Sequence, residues 1–342
     1  MGKLLLGLDI GTNYIKAAQI IQENNLNRLL AAGYIATPMN MLASSNPRDE
    51  QITANAVNRL VHDMKISTMD TSASLPSSKV ITRVIEVPIM SEEELSSSIK
   101  WEAEQYIPLP LNRVNIDYEV ISTNQETSKM KVLLVAAPIS IIEKYMRVIS
   151  MAGLNPVALE TEILAVGRNI TFNNPQLSNI LVLTIGATTS EISILHNKVL
   201  VYTKSFAIGG NTFTRAIAQE LGFELPQAEE YKKNYGLDET KLEGKIAKTI
   251  YPLFNSLITE MEKTIVYFKE QYPTEEIKSS IICGGEAKLP GLVMAITKYL
   301  GLDTQISNPF EKLNVDSNIL SSLMPEAPIY TVAVGLALKD IE

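Results

Sequence analysis

Two groups of three short apolar segments lie far apart in the chain and share one order of strands and turns. The first group consists of Leu4–Leu8, Tyr14–Ile21 and Arg28–Ala36, separated by turns at Gly11–Thr12 and Asn24–Asn25. The second group consists of Ile180–Ile185, Glu191–Leu195 and Val199–Ser205, separated by turns at Gly186–Thr188 and His196–Asn197. Apolar runs bounded by Gly and Asn predict strands joined by turns. The offset between Gly11 and Gly186 is 175 residues (186 − 11), close to half of the 342, so the pattern favours a duplicated architecture over a chance similarity of strands.

Helical and strand patterns alternate after each group, as in mixed α/β proteins. The predicted helices are Ile52–Met64, a helix capped by Ser91 and Glu94 and stopped by Pro108, a helix capped by Ser140 and Glu143 and ended by Gly153, a helix capped by Asn211 and ended by Gly222, and the regions Lys241–Tyr272, Leu289–Leu300 and Tyr330–Lys339. The further predicted strands are Val80–Val87, Val114–Val120, Met130–Ala136 and Ile281–Cys283. The loop Thr37–Glu50 is the best candidate for the start of an inserted module.

Composition limits the class of protein. A length of 342 residues predicts about two domains. Thirty Lys and Arg against 38 Asp and Glu give a net charge of −8, so we expect no nucleic-acid partner and no direct binding to an anionic membrane. The lone Cys283 cannot form an internal disulfide, is expected to be a small buried hydrophobe, and indicates a reducing, cytoplasmic compartment. No run approaches the about 18 apolar residues of a membrane span, and Leu4–Leu8 is too short for a signal peptide.

The two Gly turns carry residues that suit a polyphosphate. Backbone N–H groups at a Gly turn can approach phosphate oxygens, and a carboxylate at a strand end can orient water around Mg²⁺. The candidates are Asp9 for the metal through water, Gly11, Thr12, Asn13, Tyr14 and Lys16 for phosphate on the first turn, and Gly186, Ala187 and Thr188 on the second. Each turn taken alone is better explained as a plain hairpin in which the glycine supplies only the turn. Two such turns from related halves could face one another across a cleft and hold a polyphosphate between them.

Two later segments suit the nucleoside part of such a ligand. Gly284 and Gly285 follow a buried strand and, with Ala287 and Leu289, could pass beneath a purine or ribose without a Cβ in the way. A second Gly turn at Gly210 and Asn211 is followed by a helix that offers Glu229 for ribose hydroxyls and Lys232 for adenine or ribose. The alternative for Glu229 and Lys232 is a solvated helix face.

The segments that carry these candidates resemble the nucleotide motifs of the actin-like ATPase superfamily. They read LDIGTNYIK, LTIGATTSEISI, AIGGNTFTRAIAQELG with AEEYKK, and CGGEAKLPGL. Three further segments, WEAEQYIP, NIDY and VAAP, resemble the PilM family of type IV pilus assembly, which is related to FtsA. The resemblance implies an α/β actin-like fold that binds ATP and Mg²⁺ between two related domains. The implied domains are 1–178, with an inserted α+β subdomain at about 37–150, and 179–342, with a helical subdomain at about 215–272.

The resemblance also implies partners. Members of the PilM family bind the N-terminal cytoplasmic peptide of PilN beside the inserted subdomain and connect the pilus motor ATPases to the inner-membrane platform. Membrane attachment would be indirect, through PilN at the cytoplasmic face, because Leu338–Glu342 offers no amphipathic helix. Aromatic residues are favoured anchors for peptides, so the candidate contacts are Trp101, Gln105, Tyr106 and Ile107. The alternative is that Leu95, Ile99, Ala103 and Tyr106 form the core stripe of the module.

One departure from the superfamily bears on catalysis. Active relatives often place an aspartate where this chain has Thr184, and Thr cannot act as a general base near neutral pH. Glu162 matches the region in which chaperone-type relatives carry a water-positioning glutamate, although it could equally be a carboxylate that closes a strand. We therefore expect ATP binding with slow or absent hydrolysis. The alternatives are an FtsA-like division or filament protein, a small-molecule kinase of the same fold, and an interaction module that binds no nucleotide.

Overall fold

The computed structural model describes residues 3–23, 26–38, 44 and 46–339. Its strands are β1 (Lys3–Ile10), β2 (Tyr14–Glu23), β3 (Leu26–Ala36), β4 (Asp70–Leu75), β5 (Ile81–Pro88), β6 (Val114–Asn124), β7 (Lys129–Pro138), β8 (Asn155–Thr161), β9 (Asn179–Ile185), β10 (Ser190–His196), β11 (Val199–Phe206), β12 (Ser279–Cys283) and β13 (Asp303–Ile306). Its α-helices are α1 (Pro47–Asp63), α2 (Glu92–Glu104), α3 (Ile139–Met151), α4 (Glu162–Asn173), α5 (Gly210–Leu221), α6 (Leu225–Tyr235), α7 (Lys245–Gln271), α8 (Leu292–Leu300), α9 (Ser317–Leu323) and α10 (Thr331–Ala337). Short 3₁₀ turns cover Leu111–Arg113, Leu242–Gly244 and Met324–Tyr330.

Two five-stranded sheets have the same strand order. The first runs β3-β2-β1-β4-β8 and the second β11-β10-β9-β12-β13. The hairpins β1–β2 and β9–β10 have the same register. Ile10 pairs with Ile15 in the first, and Ile185 pairs with Ser190, 175 residues further on, in the second. The predicted duplication and the α/β fold class are therefore confirmed. The predicted turn at Asn24–Asn25 lies outside the described residues.

The elements that sequence reasoning missed complete the two sheets and connect the two halves. Strands β4 and β13 and helices α4 and α9 have no counterpart among the predicted elements, and β8 was expected only in the alternative that Glu162 closes a strand. Strand β4 has the polar sequence DTSASL, yet its residues 71–75 are buried because β1 and β8 pair with it on both sides. Tertiary pairing overrides the weak apolar pattern here.

A third, three-stranded sheet in the order β5-β7-β6 forms a separate module with α2. Helix α1 instead contributes Ala54, Val57 and Leu60 to the cluster that holds Leu6 and Leu8 of β1. Of the predicted insertion at about 37–150, β4 therefore belongs to the first large sheet, and α1 and α3 pack against that sheet. We propose narrower boundaries, about 76–138, for the module itself.

The inserted module packs against the second half as well as the first. Leu133 of β7 lies in one hydrophobic cluster with Leu200 of β11, Val182 of β9 and Val166 of α4. At the rim, the Lys131 ammonium lies 4.7 Å from the ring centre of Tyr272, beyond the end of α7. The inserted module therefore contacts both halves of the protein, α4 in the first half and β9, β11 and Tyr272 in the second.

Helix caps follow the predictions at some ends and contradict them at others. Ser91 and Glu94 form the predicted capping box, with Ser91 N donating to Glu94 Oε2 at 2.8 Å and Glu94 N to Ser91 Oγ at 3.3 Å. The second predicted box is wrong, because α3 begins at Ile139, directly after the end of β7, and Ser140 already lies inside the helix. Asn211 is likewise not a cap, since α5 begins at Gly210. Gly222 ends α5, as predicted, and the structure places it in the left-handed conformation.

One stretch of the described chain, Ser317–Ala337, is long and apolar enough to be considered as a membrane span by length and composition. It consists of α9, a 3₁₀ turn with Pro325 and Pro328, and α10, and half of its most apolar part is buried within the protein. Helix α10 lies so close to β1 that a Cβ at Gly7 would come 1.9 Å from the carbonyl oxygen of Ala333. Helix α10 is therefore part of the protein core, as predicted for the last helix, whereas α9 buries only Leu323.

Candidate functional site

A cavity of about 520 Å³ opens between the two five-stranded sheets. Both predicted Gly turns line it, and the hydroxyl oxygens of Thr12 and Thr188 face one another at 3.4 Å. The turns are closed alike, by Gly11 N donating to Tyr14 O at 3.1 Å and Gly186 N donating to Thr189 O at 2.9 Å. The predicted site residues that line the cavity are Asp9, Gly11, Thr12, Asn13, Tyr14, Lys16, Glu162, Gly186, Ala187, Thr188, Glu229, Gly284, Gly285 and Leu289.

The first hairpin presents an ion pair to the cavity. Asp9 and Lys16 are direct cross-strand partners, and Lys16 Nζ donates to Asp9 Oδ2 at 2.5 Å. The other carboxylate oxygen, Oδ1, accepts from Ser74 Oγ of β4 at 3.1 Å. A Cβ at Gly11 would lie 2.9 Å from Lys16 Nζ, so glycine leaves room for this ammonium. The pair places one cation and one carboxylate where the phosphates of a nucleotide are expected.

The second hairpin presents no such pair at the same place. Thr184 pairs in register with Glu191, and the Thr184 hydroxyl lies 3.1 Å from Cys283 Sγ. Burial raises the pKa of the Cys283 thiol to about 12, so it stays neutral, as expected of a small buried hydrophobe. Glu191 Oε1 accepts from the Thr203 hydroxyl at 2.7 Å, and its Oε2 accepts from the Ser77 hydroxyl at 3.0 Å. A serine of the first half therefore reaches a carboxylate of the second half across the cavity.

Glu162 is the first residue of α4, directly after β8, and its side chain lines the cavity. Its Oε2 accepts from the backbone N–H of Ser77 at 3.2 Å. Burial, and then the charge of Asp9, raise the pKa of this carboxyl to about 7. A carboxyl that titrates near neutral pH is suited to proton transfer. Its role as a catalytic residue stays a prediction.

The lysine of the predicted nucleoside subsite is buried behind the cavity wall. Lys232 is only 1% exposed, and its Nζ lies 2.9 Å from carboxylate oxygens of both Glu229 and Glu286. The alternative of a solvated face is therefore wrong for Lys232. Its neighbour Lys233, which the sequence analysis did not single out, lines the cavity together with Glu229 and Glu286. Contact between Lys232 and a nucleotide stays a prediction.

Three other predicted residues also stand outside the cavity lining: Gly210, Asn211 and Ala287. Gly210 N donates to Gly186 O at 2.9 Å and Asn211 N donates to Ala187 O at 2.8 Å, so this segment holds the second turn in place. A Cβ at Gly210 would come 1.9 Å from Glu286 Oε1, and Ala287 is fully buried. Their contact with a nucleotide stays a prediction, while their contacts within the protein shape the second turn and its surroundings.

The Gly284–Gly285 turn forms another wall of the cavity. Gly284 has a φ of 92°, and a Cβ there would lie 2.5 Å from Ile185 O, so only glycine fits. A Cβ at Gly285 would meet open space. Across this wall, Lys288 pairs with Glu326 at 2.7 Å, and both residues line the cavity.

Sequence reasoning missed several residues that line the cavity: Tyr34, Ser77, Glu191, Lys233, Glu286, Lys288 and Glu326. Glu191, Lys233, Glu286 and Lys288 stand within the quoted motifs, so their spacing from the glycines was a usable signal. Ser77 and Glu326 come to the cavity only through the fold, on a loop after β4 and on the 3₁₀ turn before α10.

The oxygen donors of the cavity suit a magnesium ion that arrives with phosphate. Asp9, Glu162 and Glu191 supply carboxylates, the donors that Mg²⁺ prefers. Among the described residues, no group of three His, Cys, Asp or Glu side chains could hold a metal ion by itself. The set therefore fits an ion that keeps water ligands and shares its coordination with phosphates, with Asp9 as the predicted contact through water.

The predicted partner residues differ in exposure. Trp101 on α2 is 73% exposed, whereas Ile107 is 6% exposed and belongs to the module core with Leu95, Ile99 and Ala103. The alternative of a core stripe is thus confirmed for those three residues. The ring of Tyr106 is covered by the guanidinium of Arg83 at 4.6 Å, and Gln105 Nε2 donates to Glu102 Oε2 at 3.4 Å. A peptide contact at these positions stays a prediction.

Comparisons with known proteins agree with this architecture. Among solved structures, the PilM-PilN type IV pilus biogenesis complex matches with a TM-score of 0.85 at 27% identity, covering 98% of this chain and 97% of that chain. MreB5 of Spiroplasma citri, bound to AMPPNP, matches with a TM-score of 0.54 at 14% identity over 97% of this chain and 94% of that chain, which shows the actin-like fold alone. The cell division protein FtsA of Escherichia coli (strain K12) is 21% identical in an alignment that covers 98% of this chain and 89% of FtsA.

The family model described as type IV pilus assembly protein PilM matches residues 7–341, nearly the whole chain. The expected actin-like fold is confirmed by these likenesses, and the family resemblance by this match. The chain therefore belongs to the family of the type IV pilus assembly protein PilM.

Proposed function

We propose that this protein binds Mg-ATP in the cleft between its two five-stranded sheets. It acts in the cytoplasm as a scaffold of the type IV pilus assembly complex at the inner membrane. It binds the N-terminal cytoplasmic peptide of PilN, which attaches it to the membrane indirectly, and it connects the pilus motor ATPases to the platform proteins. The match to PilM, rather than the lower identity to FtsA, favours pilus assembly over cell division.

The observation that carries nucleotide binding is the pair of related turns that face each other across the cavity. Their hydroxyls, Thr12 and Thr188, stand 3.4 Å apart, and Lys16 supplies a cation beside them. A Cβ at Gly285 would meet open space, so this wall of the cavity leaves room for the nucleoside part of a ligand. In the related fold of MreB5, the ligand is the ATP analogue AMPPNP.

Slow or absent hydrolysis follows from the acid–base groups at the cleft. Thr184 cannot accept a proton near pH 7, and the loss of a positioned acid or base costs about 10²–10⁴ in rate. Glu162, whose pKa of about 7 suits proton transfer, is then the remaining candidate base, and its Oε2 already accepts a hydrogen bond from the backbone N–H of Ser77. A sensitive phosphate-release assay on purified protein should find far less than one turnover per second. Many turnovers per second would contradict this part of the proposal.

Nucleotide binding is tested with a variant that fills the cavity without straining the fold. Mg-ATP at about a hundredfold excess over its dissociation constant should stabilise the wild type by about 2.7 kcal/mol. Gly285→Leu directs a side chain into open space within the cavity, so it should keep the melting temperature of the free protein and lose the response to Mg-ATP. Ser96→Leu places the same side chain on an exposed position of α2 and should respond like the wild type. A wild-type melting curve that Mg-ATP leaves unmoved would reject nucleotide binding.

The scaffold role is tested separately, by retention of the purified protein on an immobilised PilN N-terminal peptide. A peptide of the same composition in scrambled order is the matched control. Retention on the native order alone supports the role, and equal retention on both peptides would reject it. Because this readout needs no nucleotide, its result is independent of the melting experiment.

A further inference from the structure

The two halves place their carboxylates on different strands of corresponding hairpins. In the first hairpin, Asp9 of β1 pairs with Lys16 of β2, so the carboxylate lies on the central strand of the sheet. In the second, Thr184 of β9 occupies the place of Asp9, and Glu191 of β10 occupies the place of Lys16. Residues directly opposite on paired strands project from the same face of a sheet. Exchanging the carboxylate between such partners therefore keeps it beside the same cavity.

Glu191 is buried and lacks a charged partner. It is 8% exposed, and its two carboxylate oxygens accept from two neutral hydroxyls, those of Ser77 and Thr203. Within the described ranges no ion pair to Glu191 occurs, in contrast to Asp9, which has Lys16. A buried carboxylate without a cation is costly unless it is protonated or meets a positive charge. Its side chain lines the cavity, so a charge that enters with a ligand can neutralise it.

We propose that Glu191 supplies the carboxylate of the second half to the water shell of the nucleotide-bound Mg²⁺, in place of the aspartate that Thr184 replaces. This inference rests on the proposed binding of Mg-ATP. Ser77 acts as a positioning residue, because its hydroxyl holds one Glu191 oxygen from the opposite side of the cleft. Magnesium would neutralise phosphate charge in this cavity, and Glu191 makes ATP binding depend on that neutralisation.

The dependence is measured as a coupling between metal and nucleotide. ATP affinity is determined by calorimetry with saturating Mg²⁺ and again with EDTA. The ratio of the dissociation constant in EDTA to the dissociation constant with Mg²⁺ is then compared between variants. We expect Glu191→Gln to lower this ratio by about tenfold, within the usual range of coupling between two ligands. In EDTA the variant should bind ATP more tightly than the wild type, because one negative charge facing the phosphates is gone.

The controls separate three effects: the loss of charge at position 191, the change in the net charge of the protein, and a change in the fold. Glu230→Gln removes an exposed carboxylate on α6 and should leave the ratio unchanged. Glu191→Asp keeps the charge and should keep most of the ratio, with a melting curve that verifies the fold. An unchanged ratio in Glu191→Gln, or equal losses in Glu191→Asp and Glu191→Gln, overturns the inference while nucleotide binding stands. A wild type that binds no ATP in either condition overturns the proposed function instead.

Discussion

The two five-stranded halves share a backbone plan and differ in the chemistry that they bring to the cleft. Strand order, hairpin register and turn hydrogen bonds repeat with an offset of 175 residues. At corresponding positions, the first half carries the Asp9–Lys16 ion pair and the second half carries Thr184 and Glu191. Backbone hydrogen bonds preserve a fold through large sequence change, whereas side chains at the cleft are free to diverge. The differences between the halves, rather than their likeness, indicate what each contributes.

The largest effect is expected where the halves differ in packing. Gly7 of β1 corresponds to Val182 of β9 (182 − 7 = 175), and the backbone of α10 lies in direct contact with β1 at Gly7. Gly7→Ala forces a Cβ to within 1.9 Å of Ala333 O, so we expect a loss of at least about 3 kcal/mol in unfolding free energy, or no soluble protein. Val182→Ala removes two buried methyl groups and should cost about 2 kcal/mol.

Urea denaturation monitored by circular dichroism measures both variants under the same conditions. If Gly7→Ala unfolds at the wild-type midpoint while Val182→Ala does not, the close approach of α10 to β1 is wrong.

The second effect concerns the carboxyls at the cleft. The pKa of Glu162 is about 7 in the folded protein and 4.5 for the ordinary carboxyl, so the folded state binds the proton more tightly. This contribution to stability is complete below pH 4.5 and is lost as the pH rises through 7. Glu162→Gln does not titrate, so its stability relative to the wild type should rise between pH 5 and pH 8, by up to about 3 kcal/mol.

Urea midpoints at several pH values give this difference directly. Glu230→Gln, which removes an exposed carboxylate, should follow the wild type at every pH. A difference between Glu162→Gln and the wild type that stays constant with pH would show that Glu162 is not protonated in this range.

The third effect tests whether the two turns contribute equally. Thr12 and Thr188 come from different halves, and their hydroxyls lie 3.4 Å apart at the cavity. Removing either hydroxyl, as Thr12→Ala or Thr188→Ala, should weaken Mg-ATP binding by about 1 kcal/mol, or about fivefold. Calorimetry of both single variants and the double variant also reports whether the hydroxyls bind one common group, since the losses would then not add.

Thr123→Ala, on an exposed position of β6, is the matched control and should bind as the wild type does. A loss confined to one turn would mean that the halves contact the phosphates unequally.

The smallest effect on stability is expected in the inserted module, which only the first half carries. Trp101 is 73% exposed, so Trp101→Ala should change the unfolding free energy by less than about 0.5 kcal/mol. It should weaken binding of the PilN peptide by about threefold, through loss of an aromatic contact. Fluorescence anisotropy of a labelled peptide measures the affinity, and Glu104→Ala at the exposed end of α2 serves as the control. Equal affinities of wild type and Trp101→Ala would locate the peptide elsewhere.

Local patterns were sufficient to predict much of the fold. The hairpins β1–β2 and β9–β10, the helix from Ser91 and the stop at Gly222 depend on residues close in sequence, and all were predicted. Ser140 and Asn211 show the limit of this approach. A capping residue type does not act as a cap when the preceding strand or turn already sets where the helix starts.

The candidate site was predicted in its turns and missed in its cross-cleft contacts. Gly11, Gly186 and Gly284 were found because a close approach of backbone requires glycine at a turn. Ser77 was missed because it follows β4, a strand with little apolar signal, and reaches Glu191 114 residues away. Lys232 was placed on a solvated or ligand-facing helix, yet it is buried between two carboxylates, Glu229 and Glu286.

The sequence by itself determined the duplicated hairpins, the glycine turns and the family, because these features depend on short-range periodicity and on fixed spacing. Only the tertiary structure decided which carboxylates share the cleft, since Asp9, Glu162 and Glu191 come from three separate strand and helix ends. It also decided the protonation of Glu162, because burial and the charge of Asp9 raise the pKa of this carboxyl. Electrostatic interactions depend on distance in space, and distance in space is set by how the two halves pack.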